Sequence, residues 1–90
     1  MAPKLEPDIA DIAPWSEALT DYDLEHLAVY LRVLDAEAER ADWREVARVV
    51  LRRGADETEA HARRCWDTHL ARARWMTTTG YRLLLDHKDA

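Results

Sequence analysis

Ninety residues, 48% of them hydrophobic and only two of them Gly, suffice for one domain around one modest core but not for a core plus a roomy catalytic cleft. The net charge of −5 argues against a general affinity for polyanions, and a single cysteine, Cys65, cannot form an internal disulfide, which fits a reducing cytoplasm. No stretch approaches the roughly 18 consecutive apolar residues of a membrane span, so the expectation is a soluble cytoplasmic protein with no membrane partner.

Met1 to Pro14 contains all three prolines (Pro3, Pro7, Pro14) and no sustained hydrophobic period. Residues 1–15 therefore read as a flexible N-terminal tail, from which Ile9 and Ile12 could dock as a short turn. A helical domain is expected over 16–86 and a C-terminal tail over 87–90. Thr20 followed by Asp23 has the form of a helix N-cap with an acidic partner. Leu24, Leu27, Leu31 and Leu34 then recur at helical spacing, which predicts a long first helix from Asp21 to Glu39 with the leucines facing the core. Asp42 and Glu45 repeat the capping signature. Trp43, Val46, Ala47, Val50 and Leu51 follow on one side of a shorter helix that Gly54 stops.

Asp56 with Glu59 marks a third start, after which Ala62, Cys65, Trp66, His69, Leu70, Ala73 and Met76 form one apolar face as far as the Thr77, Thr78, Thr79, Gly80 stretch. Tyr81 to Leu85 reads as a last short helix capped by Thr79. The fold class is thus all-α: a small helical bundle in which the second and third helices form a helix-turn-helix variant with an extended turn, from about Arg53 to Asp56.

Chemistry-bearing constellations are sparse. His61, Cys65 and His69 share one helix face, but two turns separate the outer pair by about 12 Å at 1.5 Å per residue, so the three cannot close on one ion. No metal site is predicted. Cys65 lacks a Gly-rich turn, no hydroxyl or imidazole sits in a recognised motif, and Gly54 and Gly80 stand alone, so no catalytic residue and no cofactor site is predicted either.

Two surfaces point towards macromolecules. Charge is unevenly placed, with 3 basic and 11 acidic residues in 1–42 against 10 and 7 in 43–90. Arg44, Arg48 and Arg52 recur at every fourth position, and the outward face of the third helix would present Arg64, Thr68, Ala71, Arg74 and Trp75, a pattern suited to phosphate contact. Asp67, Glu57, Glu59 and the acidic first half oppose it. On the first helix, opposite the leucines, Tyr22, Val29, Val33 and Ala36 form a second apolar strip rimmed by Glu25, Glu37 and Glu39. That strip either docks a protein or is covered by Ile9, Ile12 or Trp15.

The segments Leu19-Thr20-Asp21-Tyr22-Asp23-Leu24-Glu25-His26-Leu27, Ala41-Asp42-Trp43-Arg44-Glu45-Val46-Ala47 and His69-Leu70-Ala71-Arg72-Ala73-Arg74-Trp75-Met76, with Gly80-Tyr81, resemble a family of domains of unknown function from proteobacterial integrative and conjugative elements. That resemblance implies an extended-turn helix-turn-helix. It also implies two roles: longer members activate transcription through a basic DNA-facing surface, and short acidic members are antiactivators linked to quorum sensing and conjugative transfer. The acidic balance places this chain with the second kind. The expectation is accordingly an antiactivator, monomeric when free, that binds the N-terminal domain of a transcriptional activator and does not bind nucleic acid. Its partner face would comprise Tyr22, Val29, Val33, Trp75, Met76 and Tyr81. The alternative is a direct DNA-binding regulator.

Overall fold

A computed structural model describes residues 7–88; the remainder of both expected tails, residues 1–6 and 89–90, lies outside the described residues. The element order is α1 (Asp21–Glu25), α2 (Leu27–Ala38), α3 (Trp43–Val49), α4 (Glu59–Trp75), a π-helical turn (Met76–Gly80) and α5 (Tyr81–Lys88). No strand occurs among the described residues, and no helix is long and apolar enough to cross a membrane. The architecture is an all-α bundle in which α4 packs against both α2 and α3.

Local chemistry explains most boundaries. Thr20 and Asp23 form the expected capping box, with Thr20 Oγ1 accepting from the Asp23 N–H at 3.1 Å and the Asp23 carboxylate accepting from the Thr20 N–H at 3.0 Å. Asp42 caps α3. The cap of α4 is Thr58, whose hydroxyl accepts from the His61 N–H. Asp56 is left in the connector, where Glu57 accepts from the Gly54 N–H at 2.9 Å.

The long first helix is broken at His26. Its ring Nδ1 lies 2.6 Å from the Tyr22 carbonyl, taking the acceptor that its backbone N–H would have used, and that N–H turns to the Asp23 carbonyl. α2 ends in a Schellman arrangement, Ala41 N–H to Ala36 carbonyl and Arg40 N–H to Glu37 carbonyl, which puts Arg40 at φ 59° where glycine is the usual occupant. The Thr77–Gly80 stretch does not stop the chain's helical course. Instead α4 widens into the π-helical turn and continues as α5. Gly80 permits this, because a Cβ there would stand 2.8 Å from the Trp75 ring.

The predicted leucine face of the first helix is only partly buried, with Leu27 and Leu34 packed against the core clusters, and the opposite strip supplies fully buried residues as well. Val29, Val33 and Tyr30 are buried, while Leu31 is 63% exposed. Val29 and Val33 join Val46, Leu51, Cys65, Trp66 and Leu70 in the main core, against which Ile9 packs. Both stripes have helical period, and the compact β-branched pair fits the tight α2–α4 contact better than leucine. The segment from residue 7 to residue 20, mostly assigned to a tail, has no helix but lies along α4 as a strap. The Ala10 N–H donates to the Tyr22 hydroxyl and the Ala13 N–H to the Thr68 hydroxyl, both at 3.1 Å. The Arg53 guanidinium holds the Ile9 carbonyl at 3.1 Å, and Arg52 reaches the Pro7 carbonyl.

At the centre of this packing is a fully buried ion pair. Arg72 of α4 donates through Nε to Asp23 Oδ1 at 2.9 Å and through Nη2 to Oδ2 at 2.5 Å, with both side chains at 0% exposure. Its remaining donors reach the Ser16 and Ala18 carbonyls at 2.6 and 2.9 Å. The Tyr30 hydroxyl donates to the same Asp23 carboxylate at 2.8 Å. Burial alone would push the Asp23 carboxyl up, but Arg72, the Thr20 N–H and Tyr30 together hold it below the usual carboxylate range.

Removing one partner strands a buried charge, so Arg72→Ala or Asp23→Ala is expected to cost about 3–5 kcal/mol in urea unfolding. Because the Asp23 carboxyl is depressed in the folded state, its stabilisation is complete above the unfolded carboxylate range and is lost as pH falls below about 4. Asp23→Asn should therefore lower the thermal midpoint at neutral pH and flatten its decline in acid; an unchanged acid slope would contradict this origin. At the α2 terminus, Arg40→Gly relieves the left-handed strain and should raise stability by about 0.5–1 kcal/mol in the same assay.

Candidate nucleic-acid interface

Among the expected partner residues, Val29 (2% exposed) and Val33 (0%) lie in the core and Met76 (7%) lines the second cluster with Tyr30 and Ala73. Tyr22 is half-buried. Its ring stacks on His26 at 3.6 Å between centroids and its hydroxyl donates to His69 Nε2 at 2.6 Å. Trp75 is half-buried, its ring 3.7 Å from the Arg72 guanidinium carbon. Only Tyr81, at 57%, is substantially exposed. Of the expected face of Tyr22, Val29, Val33, Trp75, Met76 and Tyr81, the core thus takes up Val29, Val33 and Met76, while Tyr22 and Trp75 keep partial exposure and Tyr81 is open.

The His61, Cys65, His69 series also separates. His61 is exposed, while Cys65 and His69 are buried. His69 Nδ1 donates to the Cys65 carbonyl at 2.8 Å, which leaves Nε2 as the acceptor for Tyr22, and burial pushes the imidazole below its ordinary pKa. Burial likewise pushes the Cys65 thiol up to about 11, so it stays protonated and non-nucleophilic at neutral pH.

The outward side of α4 is different. Spacing places Ala60, Arg64, Asp67, Ala71 and Arg74 on one stripe, and all five are exposed. The strap bounds this stripe on one flank, where the Ala13 N–H occupies the half-buried Thr68. On the other flank stands Trp43, with the guanidinium carbons of Arg44 and Arg63 at 4.9 and 5.0 Å from its ring centroid. Of the five residues expected to face outward on this helix, Arg64, Ala71 and Arg74 do so. Thr68 and Trp75 are turned to intramolecular contacts.

Between residues 43 and 75 stand eight arginines against five acids. Only Arg72 is withdrawn into the core; the side chain of Arg53, 12% exposed, braces the connector through Asp11 at 2.6 Å and Glu57 at 3.8 Å. Arg44 is paired bidentately with Glu59, both contacts at 3.1 Å, and each holds the other's charged form. Arg48 pairs with Glu45 at 2.8 Å, Arg63 with Asp67 at 3.0 Å, and Arg74 with Glu37. Arg64 makes no ion pair among the described residues. The predicted Arg44, Arg48, Arg52 stripe is split. Arg52 sits past the end of α3 at φ 54° and holds the strap, while Arg44 and Arg48 remain on the exposed side of α3.

Exposed ion pairs are screened and exchange partners readily, so a phosphate can displace the carboxylate at little cost. The α3–α4 surface therefore carries four arginines in exposed, exchangeable ion pairs and Arg64 outside them. Trp43 orients two of them, and Ala60 and Ala71 leave space for close approach.

A model of a family described as "T6SS, Transcription factor, DNA binding domain" matches residues 4–86. No curated protein and no solved structure matches the chain. The match overturns the expectation that the chain avoids nucleic acid. That expectation relied on the total charge, which is set by the acidic first half. The match gives no support to an antiactivator family.

Because these arginines serve the surface rather than the core, Arg44→Ala, Arg48→Ala and Arg64→Ala are expected to leave the thermal midpoint essentially unmoved. A large loss of stability on any of the three would assign that side chain to the fold.

Proposed function

This chain belongs to the RovC-type family of transcription-factor DNA-binding domains, and we propose that it binds duplex DNA directly, with α4 as the reading helix. The observation that carries the proposal is the open α4 stripe with Arg64 and Arg74 on it, flanked by Arg63 over Trp43 and by Arg44 and Arg48 of α3. An α-helix fills the major groove, where arginine donates bidentately to guanine and a carboxylate accepts from cytosine N4. Arg64, without an ion pair among the described residues, and Asp67, one turn further on, are the base-reading candidates. Arg63 and Arg74 exchange their carboxylates for phosphates on either side. Arg44 and Arg48 contact the next phosphates from α3, as the supporting helix does in helix-turn-helix proteins. The role is regulatory and not enzymatic: a domain that brings a transcription factor to its site.

The test is fluorescence anisotropy at low salt with a randomised duplex pool, followed by selected sequences. Replacing both Arg63 and Arg64 by Ala should weaken binding by at least tenfold and lower the slope of log K against log salt by about 1, for the phosphate contact of Arg63. Asp67→Ala should relax sequence preference while retaining general affinity. Unchanged binding in the double variant would remove α4 from the interface.

A further inference from the structure

A second surface, formed by α2, the π-helical turn and α5, is apolar. A groove of about 300 Å³ lies between α2 and α5, lined by Leu27, Leu31 and Leu34, by Met76, and by Tyr81 and Leu84. Among the described residues α5 packs on the π-helical turn and on no other helix, which leaves its apolar side only partly covered, with Leu84 half-buried and Tyr81 and Leu85 exposed. Leu31 is 63% exposed, Tyr81 57% and Leu85 46%, an exposure of large apolar side chains that a solvated monomer does not favour.

We propose that the groove is filled by α5 of a second copy of this chain, in a two-fold contact where each copy's α5 lies on the other's α2. The argument for a second copy is self-complementarity in shape and charge. The chain supplies both the slot, along Leu27, Leu31 and Leu34, and the insert, along Tyr81, Leu84 and Leu85. Asp35, one turn beyond Leu31 on α2, and Arg82, one turn before Leu85 on α5, are exposed and make no ion pair among the described residues. They are opposite in sign and flank the two matching faces. A two-fold axis therefore pairs each Arg82 with the partner's Asp35 while Leu85 covers Leu31, which is the requirement of an isologous interface. For a DNA-binding domain such a dimer presents two reading helices to two half-sites, but the association itself does not depend on that reading.

The experiment is sedimentation and light scattering of the full chain from low micromolar to millimolar concentration, without DNA. A species of two-chain mass is expected. Leu31→Glu changes an exposed side chain, so folding is retained by circular dichroism, and it should weaken association at least tenfold. Asp35→Arg and Arg82→Asp should each weaken it, and the two together should restore it, a rescue that general loss of apolar area would not give. Single-chain mass at every concentration, which would leave the groove to a different protein, overturns the proposal. So does a dimer that Leu31→Glu leaves intact. The two readings separate cleanly, because a single-chain protein that still binds duplex through Arg63 and Arg64 sinks the dimer and keeps the DNA interface.

Discussion

The buried contact between Asp23 and Arg72 is the constraint around which the rest of the domain is arranged. Removing two full charges from water costs several kcal/mol per ion, repaid only when the geometry is good and the remaining donors and lone pairs are used. Here Arg72 uses its other donors on the Ser16 and Ala18 carbonyls, and Asp23 accepts from Tyr30 and the Thr20 N–H. No buried side-chain polar atom among the described residues is left without a partner. The pair can be satisfied only if α1, α4 and the strap arrive together. Trp75 and Trp15 lie against it, with ring centroids 3.7 and 5.1 Å from the guanidinium carbon. A leucine pair of similar volume would supply comparable burial without dictating where residues 16–18 run.

That dictated path decides which side of α4 faces outward. From Ser16 back to Asp8 the strap is anchored at successive turns: Thr68 holds the Ala13 N–H, Cys65 Sγ lies 3.6 Å from the Ala10 carbonyl, and His26 Nε2 lies 2.7 Å from the Asp8 carbonyl. A segment without internal hydrogen bonds must find partners for its backbone groups elsewhere, and these buried polar side chains supply them. One flank of the helix is closed in this way, α2 and α3 close the core side, and the arginine stripe is what remains. The polar interior and the exposed interface are thus linked by one piece of chain.

Much of the architecture was legible in the sequence, because it was written in local signals. The capping box at Thr20 and Asp23, the cap at Asp42, and the alternation of long apolar faces with short polar breaks gave the helices and the extended connector nearly in place. What was not legible depends on contacts across the chain. The choice between the leucine and valine faces of α2 is invisible to periodicity, since both recur at helical spacing and only the fit against α4 decides. His26 reads as an ordinary helix residue until Asp8 stands beside it. Asp23 and Arg72 read as surface charges, because a charge 49 residues from its partner carries no local mark. The arginines of α4 were found, but their weight was underestimated because charge was summed over the whole chain.

Where the charge lies matters more than how much there is. At physiological salt the screening length is about 8 Å, so acids on the far face of the bundle hardly reach a duplex seated on α4. Acids within reach, Glu59, Asp67 and Glu37, are bound to Arg44, Arg63 and Arg74, and their cost to DNA is the exchange of one exposed partner for another. Asp23, the acid nearest the centre of the domain, is cancelled inside by Arg72. The acidic total then acts against indiscriminate polyanion binding from every other direction and is compatible with the one DNA-binding face proposed on α4. A domain built this way gives up part of the sequence-independent attraction that most DNA binders rely on, so the contacts along the α4 stripe must carry a larger share of both affinity and discrimination.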